Sequence, residues 1–234
     1  MDTTESIRLI TAVASRQGTS GPNADAAATY TSTSTGQTAL ALVDGMGHDP
    51  DIVRLAPMLA ETAARVGAVR GALAGLLSAG LLVHDPGPDA VGVLAVTRED
   101  GSAELVWAGD CRAYHWDGGE DVRQLTTDHN LAAYLTRAAR GAGEVPVTAL
   151  ADYVSVTLGL AVPATAAYVS VPAGGLLVLT TDGIHDSIDD QELHTLIRTH
   201  HGSAQDLADT LVAAARAGRN GERDDATAIV LQYH

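Results

Sequence analysis

The order in which strand-length and helix-length apolar runs follow one another constrains this chain more than any single residue does. Residues 7–14 and 38–43 have strand length and composition, and the Thr/Ser-rich stretch 29–35 between them reads as a hairpin or its second strand. Two helical patterns follow. Ile52, Leu55, Ala56, Leu59, Ala63 and Val66 share one face, and Val69, Leu73, Leu76 and Leu77 share the next. Asp85-Pro86-Gly87-Pro88 then stops helix formation. Strands return over 91–96, 103–108, 113–116 and 121–125, with Gly-containing turns between them, which predicts an antiparallel meander. A helix is expected over 129–140, a buried strand over 176–180 and a last strand over 226–233. Between the last two, Asp189 or Asp190 caps a helix through Ile197, and Ser203 caps another through Ala215. Strands cluster and helices cluster, so the prediction is an α+β layered fold of antiparallel sheets covered by helices, without βαβ units.

Composition narrows the function. The chain has 234 residues, 46% of them hydrophobic, with no linker-like stretch and no internal repeat, so one domain over 1–234 is expected. Its net charge of −15 argues against nucleic acid or an anionic membrane as partner, since both require a basic face. All 14 basic residues are Arg. A single cysteine, Cys111, excludes an internal disulfide and a cysteine-based zinc cluster, and reads as a small buried residue. The acidic start Met1-Asp2-Thr3-Thr4-Glu5 lacks the basic region of a secretory signal, and the longest apolar run, 71–83, falls short of a bilayer span, so a cytoplasmic location is expected.

Two of the apolar runs end on the same dipeptide, Asp44-Gly45 and Asp182-Gly183. With Asn23-Ala24-Asp25 and Asp224-Asp225-Ala226-Thr227, four separated segments carry a carboxylate at an expected strand end. Any one such segment is an ordinary turn. Gathered together, they require a cation, and oxygen ligands of this kind suit Mg²⁺ or Mn²⁺.

The segments also occur in a specific order. Ala41-Leu42-Val43-Asp44-Gly45-Met46-Gly47, Ala108-Gly109-Asp110-Cys111-Arg112-Ala113-Tyr114, Leu125-Thr126-Thr127-Asp128-His129, Thr181-Asp182-Gly183-Ile184 and Asp224-Asp225-Ala226-Thr227 together resemble the motif set of the PP2C (PPM-type) protein phosphatases, bacterial stand-alone members included. The resemblance implies a four-layer α-β-β-α sandwich of two antiparallel sheets flanked by helices. It also implies a metal-dependent serine/threonine phosphatase, acting as a monomer on a phosphorylated protein from a kinase pathway.

By the same resemblance, two Mn²⁺ or Mg²⁺ ions, with a third in some members, stand about 3.5–4 Å apart and activate a water for in-line attack on phosphorus. Asp44 would bridge them and Gly45 would lend its carbonyl. Asp182 and Asp224 would hold the second ion, and Asp25 would act through water. Asp110 either assists a third ion or caps its turn. Asp44, Asp182 and Asp224 are thus the catalytic set.

The chain departs from the family pattern in several places. Ala24 stands where the family has Glu or Gln. The nearest upstream arginine, Arg16, either reaches the phosphate by another loop path or leaves phosphate binding to the metals. Met46 follows Asp44-Gly45 where many members have the His that protonates the leaving group; His48 is near enough to serve, or is a plain surface residue. Ala24 and the displaced Arg16 also motivate a second reading, a pseudophosphatase that binds a phosphoprotein or partner without turnover. The stretch 131–158 corresponds to the family's variable flap.

Overall fold

A computed structural model describes residues 8–138, 153–218 and 221–233. In order, these form β1 (Leu9–Arg16), β2 (Ala26–Thr31), β3 (Thr38–Gly45), α1 (Pro50–Arg70), α2 (Ala72–Gly80), β4 (Ala90–Thr97), β5 (Ala103–Ala108), β6 (Arg112–Trp116), β7 (Val122–Gln124) and α3 (Leu131–Ala138). After the undescribed residues 139–152 come β8 (Ala167–Val171), β9 (Leu176–Thr180), α4 (Asp182–His185), α5 (Asp190–Thr199), α6 (Ala204–Ala214) and β10 (Ala226–Tyr233). The strands make two five-stranded sheets, ordered β1-β10-β9-β6-β7 and β2-β3-β4-β5-β8. Every pairing is antiparallel.

Side-chain alternation builds four layers. Along β3, Ala39, Ala41 and Val43 face one apolar cluster with Ile52, Ala56, Leu59 and Ala63 of α1, whereas Leu40 and Leu42 face another that lies between the sheets. The same split runs through β9 and β10. Leu177, Leu179, Ile229 and Leu231 point to the inter-sheet core, and Leu176, Val178, Ala228 and Val230 pack on Leu193, Ile197, Leu207 and Leu211 of α5 and α6. Central strands with both faces covered read as continuous hydrophobic runs, and β3, β4, β9 and β10 are therefore the strands most visible in the sequence. The result is the expected helix-sheet-sheet-helix sandwich.

The caps are local chemistry. Asp189 accepts from the amide of Glu192 at 2.7 Å to start α5, and Ser203 accepts from the amide of Asp206 at 3.2 Å to start α6. Three expectations change. The meander is interrupted: β4 and β5 pair in one sheet, but β6 and β7 belong to the other, so the chain crosses between sheets at Gly109-Asp110-Cys111. Gly109 makes the crossing possible, with a φ of 102° and a bare α-carbon against Val91. The second helical face also shifts, because α1 continues to Arg70 and leaves Val69 and Leu73 exposed, while Ala72, Gly75, Leu76 and Ala79 are buried on α2. The helix expected from His129 starts two residues later, where Asn130 accepts from the amide of Ala133 at 2.8 Å; its expected end at Arg140 lies outside the described residues. The sequence reading gives no strand at β8, an edge strand whose Tyr168 is exposed.

Candidate active site

The carboxylates meet where the two sheets open at one end. Asp44 is the penultimate residue of β3, Asp110 sits in the crossing between β5 and β6, Asp182 opens α4 directly after β9, and Asp224 lies two residues before β10. All four line one cleft of about 700 Å³, with Arg112, Asp128, Asn130, His185, Asp186, His48 and Met46 on its walls. Asp25 stands behind it, half-buried one residue before β2.

Backbone proximity creates this convergence. A β-carbon on Gly183 would sit 1.9 Å from the Asp225 carbonyl oxygen, so only glycine lets the segment 224–225 cross the start of α4 and bring Asp224 beside Asp182. The amide of Gly45 donates to the Ala24 carbonyl at 3.2 Å, and the amide of Met46 donates to the Asp89 carbonyl at 3.0 Å, which fixes the end of β3 on both sides.

Hydrogen bonds then orient the acids. Thr181 donates through its hydroxyl to Asp25 Oδ2 at 2.9 Å and accepts from the amide of Thr227 at 3.0 Å, linking β2, α4 and β10 through one side chain. Asp225 is buried and accepts from the amides of Gly18 at 2.7 Å and Ala24 at 2.7 Å. Asp224 accepts only from the amide of its own neighbour, Asp225, among the described residues, and is exposed to the cleft. The two adjacent aspartates thus divide their work: one builds, the other is free to bind.

The electrostatics are those of crowded acids. Burial, then the charges of Asp182, Asp25 and Asp110, push Asp44 well above the usual carboxylate range. Burial pushes Asp182 up to about 8, with Asp224 and Asp110 adding to it. Asp25 is pushed up to about 7 by burial, against the pull of the Thr227 and Thr181 hydroxyls, and Asp110 up to about 6, again by burial first. Arg112 is the single arginine on the cleft wall among the described residues, and Asp128 already holds it through Nε at 3.1 Å and Nη2 at 2.7 Å. His185 is buried, bonded through Nδ1 to the Thr180 hydroxyl at 2.8 Å and held neutral by burial and by Arg112. Among the described residues that line the cleft, no arginine is left unpaired to offset the acids.

That donor set fits a hard divalent cation. Among the described residues no three acid, imidazole or thiol side chains converge into a cage of protein ligands alone. Mg²⁺ and Mn²⁺ do not need such a cage, because they take one or two carboxylates and keep several waters, for which an open, acid-walled cleft has the room.

Two residues singled out in the sequence sit apart from the cleft. The Arg16 guanidinium donates to the Ala215 carbonyl at 2.7 Å, at the end of α6, and does not line the carboxylate cleft. Ala24 is buried in the apolar cluster with Ile52 beneath α1, beside Gly45, and does not line the cleft. His48 is on the cleft rim, 3.6 Å from Asp225 Oδ2. Cys111 is buried, with its thiol pushed up by burial and the surrounding acids. Sequence reasoning missed the supporting roles of Thr181, Asp225 and the Arg112–Asp128 pair. The doubled Asp224-Asp225 was the one available signal, and it does not say which acid faces inward.

The family model described as Stage II sporulation protein E (SpoIIE) matches residues 34–234. No curated protein matches the chain. Solved structures with the same fold include the serine/threonine phosphatase Stp1 from Staphylococcus aureus, 20% identical with a TM-score of 0.79, covering 96% of this chain and 95% of that one. The Mycobacterium tuberculosis serine/threonine phosphatase PstP/Ppp is 21% identical with a TM-score of 0.71, covering 96% and 98%. The catalytic domain of PstP, in complex with two manganese ions, is 20% identical with a TM-score of 0.68, covering 97% and 99%.

Proposed function

The chain belongs to the Stage II sporulation protein E (SpoIIE) family, and on that premise we propose that it is a bacterial-type, Mn²⁺- or Mg²⁺-dependent phosphatase that hydrolyses phosphoserine or phosphothreonine in proteins. One observation carries the reading: Asp44, Asp110, Asp182 and Asp224, from four distant segments, line one cleft, where burial and the neighbouring acids raise the affinity of Asp44, Asp110 and Asp182 for positive charge.

Bound divalent cations would lower the pKa of water for in-line attack on phosphorus and offset the charge of the phosphate. Asp44, Asp182 and Asp224 are the residues to hold them, with the Gly45 carbonyl and Asp25 contributing at Asp44 and Asp110 at the far wall. Thr181 keeps Asp25 aimed, and Asp225 ties down both sides of the loop that leads to Asp25 through the amides of Gly18 and Ala24. Arg112, held in place by Asp128, would offer its remaining guanidinium donors to a phosphate in the cleft. No side-chain nucleophile is required, and the buried Cys111 is not one. His48, on the rim, is the candidate to protonate the departing hydroxyl. In the cell the reading places a single-domain monomer in the cytoplasm, opposing a serine/threonine kinase.

The test is release of phosphate from phosphoserine and phosphothreonine peptides with Mn²⁺, with Mg²⁺ and with EDTA. Turnover that needs the metal supports the reading. Metal-loaded, folded protein that binds such peptides but leaves them intact for hours would instead identify a phosphate-binding pseudoenzyme.

A further inference from the structure

Beside the carboxylate cleft, across the Asp182–Asp224 wall, lies a second pocket of about 330 Å³ that contains two arginines, Arg216 and Arg223. In a chain with a net charge of −15 this pairing is unusual, and the surroundings of the guanidiniums make it informative. Four described arginines are half-buried: Arg16, Arg112, Arg198 and Arg223. Arg112 is held by Asp128, while Arg16 and Arg198 donate to the carbonyls of Ala215 and Glu120. Among the described residues no hydrogen-bond acceptor holds the Arg223 guanidinium, and Arg223 lies close enough to Arg16 to act on it as a second positive charge. A partly desolvated, always-charged group with five donors and no acceptor among the described residues is costly to keep.

The backbone on both sides of this pocket is fixed. Thr19 clasps Arg223 from two directions, with its amide donating to the Arg223 carbonyl at 2.9 Å and its hydroxyl accepting from the Arg223 amide at 2.9 Å. The Arg216 amide donates to the Ser187 hydroxyl at 3.2 Å, and its guanidinium pairs with Glu192, which lies outside the pocket. Four acids also face the pocket. Asp182 and Asp224 are shared with the cleft, Asp186 is turned to Arg112 at 3.7 Å, and Glu222 is the fourth.

We propose that the Arg216–Arg223 pocket is a substrate subsite for an anionic side chain, a carboxylate or a second phosphate, on the peptide that carries the scissile phosphoresidue. This rests on the phosphatase reading above, since it is contiguity with Asp182 and Asp224 that makes the occupant part of the substrate. The arginines select the flanking anion by charge-assisted hydrogen bonds, and the selection weakens as salt screens them.

The experiment compares phosphoserine peptides in which each flanking position in turn is Gln, Glu or a second phosphoserine, with Mn²⁺ present. At one position or more, Glu or phosphoserine raises kcat/KM by roughly tenfold over Gln, mainly through KM, as expected of a charge-assisted contact. The Arg216→Gln/Arg223→Gln variant brings that ratio to within about twofold, and Arg216→Lys/Arg223→Lys keeps part of it. The larger gain, Glu or phosphoserine, identifies which anion the pocket reads. No preference at any position in the wild type, or a preference that survives in the folded Gln variant, overturns the proposal. Binding of non-hydrolysable phosphonate versions, followed by fluorescence anisotropy, separates the two layers: a Glu preference that the Gln variant loses supports the pocket even if no peptide is turned over, an outcome that would sink the phosphatase reading alone.

Discussion

Asp225 shows how much of this site depends on a residue that has no place in the chemistry. Its two oxygens accept the amides of Gly18 and Ala24, more than 200 residues upstream in each case, and so hold the chain on either side of the turn that delivers Asp25. Asp225→Ala leaves two amides without their acceptor and is expected to cost about 3 kcal/mol, with Asp225→Asn costing less; urea unfolding measures both. A loss below about 0.5 kcal/mol would mean that the loop holds itself. Nothing in the local sequence tells Asp225 from Asp224, because inward and outward alternate from one residue to the next and the partners are remote. Ala24 teaches the same lesson in reverse. As a letter it looks like a departure from the family pattern, and in the fold it is part of the apolar cluster beneath α1.

The raised carboxylates set a pH dependence with a definite sign. An acid with a folded pKa above its unfolded value holds its proton more tightly in the folded state, so the folded state loses stability as pH rises between the two values. With Asp110, Asp25 and Asp182 pushed up to about 6, 7 and 8, the metal-free protein is expected to weaken steadily from the ordinary carboxylate range to about pH 8. Thermal unfolding in EDTA should give a lower Tm at pH 8 than at pH 5.5, and Mn²⁺ should raise the Tm more at pH 8. A metal-free Tm that climbs over this interval contradicts the electrostatics described for the cleft.

At the scale of elements, the sequence was most legible where a strand is covered on both faces. The runs in β3, β4, β9 and β10 stand out because both alternating sets of side chains are apolar. β8 did not stand out, since it lies at an edge with Tyr168 in solvent, and the transfer of β6 to the opposite sheet is decided by Gly109 and Val91 rather than by any pattern within β5 or β6. The junction of α4 with the approach to β10 is the most sensitive point of the site. Gly183→Ala puts a methyl group against the Asp225 carbonyl, where the contact is backbone and has no soft side chain to yield. We expect a loss of several kcal/mol or, if the segments move apart to relieve it, a folded protein with at least tenfold weaker Mn²⁺ binding by calorimetry. Unchanged stability together with unchanged metal affinity would refute the close approach.

For the whole molecule, two sheets packed face to face and clad in helices leave one end where strand termini from both sheets face each other, and the acids are gathered there. The motif order in the sequence already pointed to that end: Asp44, Asp110, Asp182 and Asp224 each follow or precede an apolar run, and runs of that kind become strands whose ends align. What the order could not supply was the wall, with Arg112 locked to Asp128 and the second arginine pocket, because these depend on which strand ends become neighbours. The central claim is that the acids act together as a metal-dependent hydrolytic centre. Its most direct test is phosphate release from one phosphothreonine peptide by the wild type, Asp44→Ala and Asp182→Ala, each shown to be folded, at saturating Mn²⁺. The account predicts a turnover that disappears with EDTA and falls by at least a hundredfold in both variants; a wild-type rate that survives EDTA, or variants that keep it, would contradict the account.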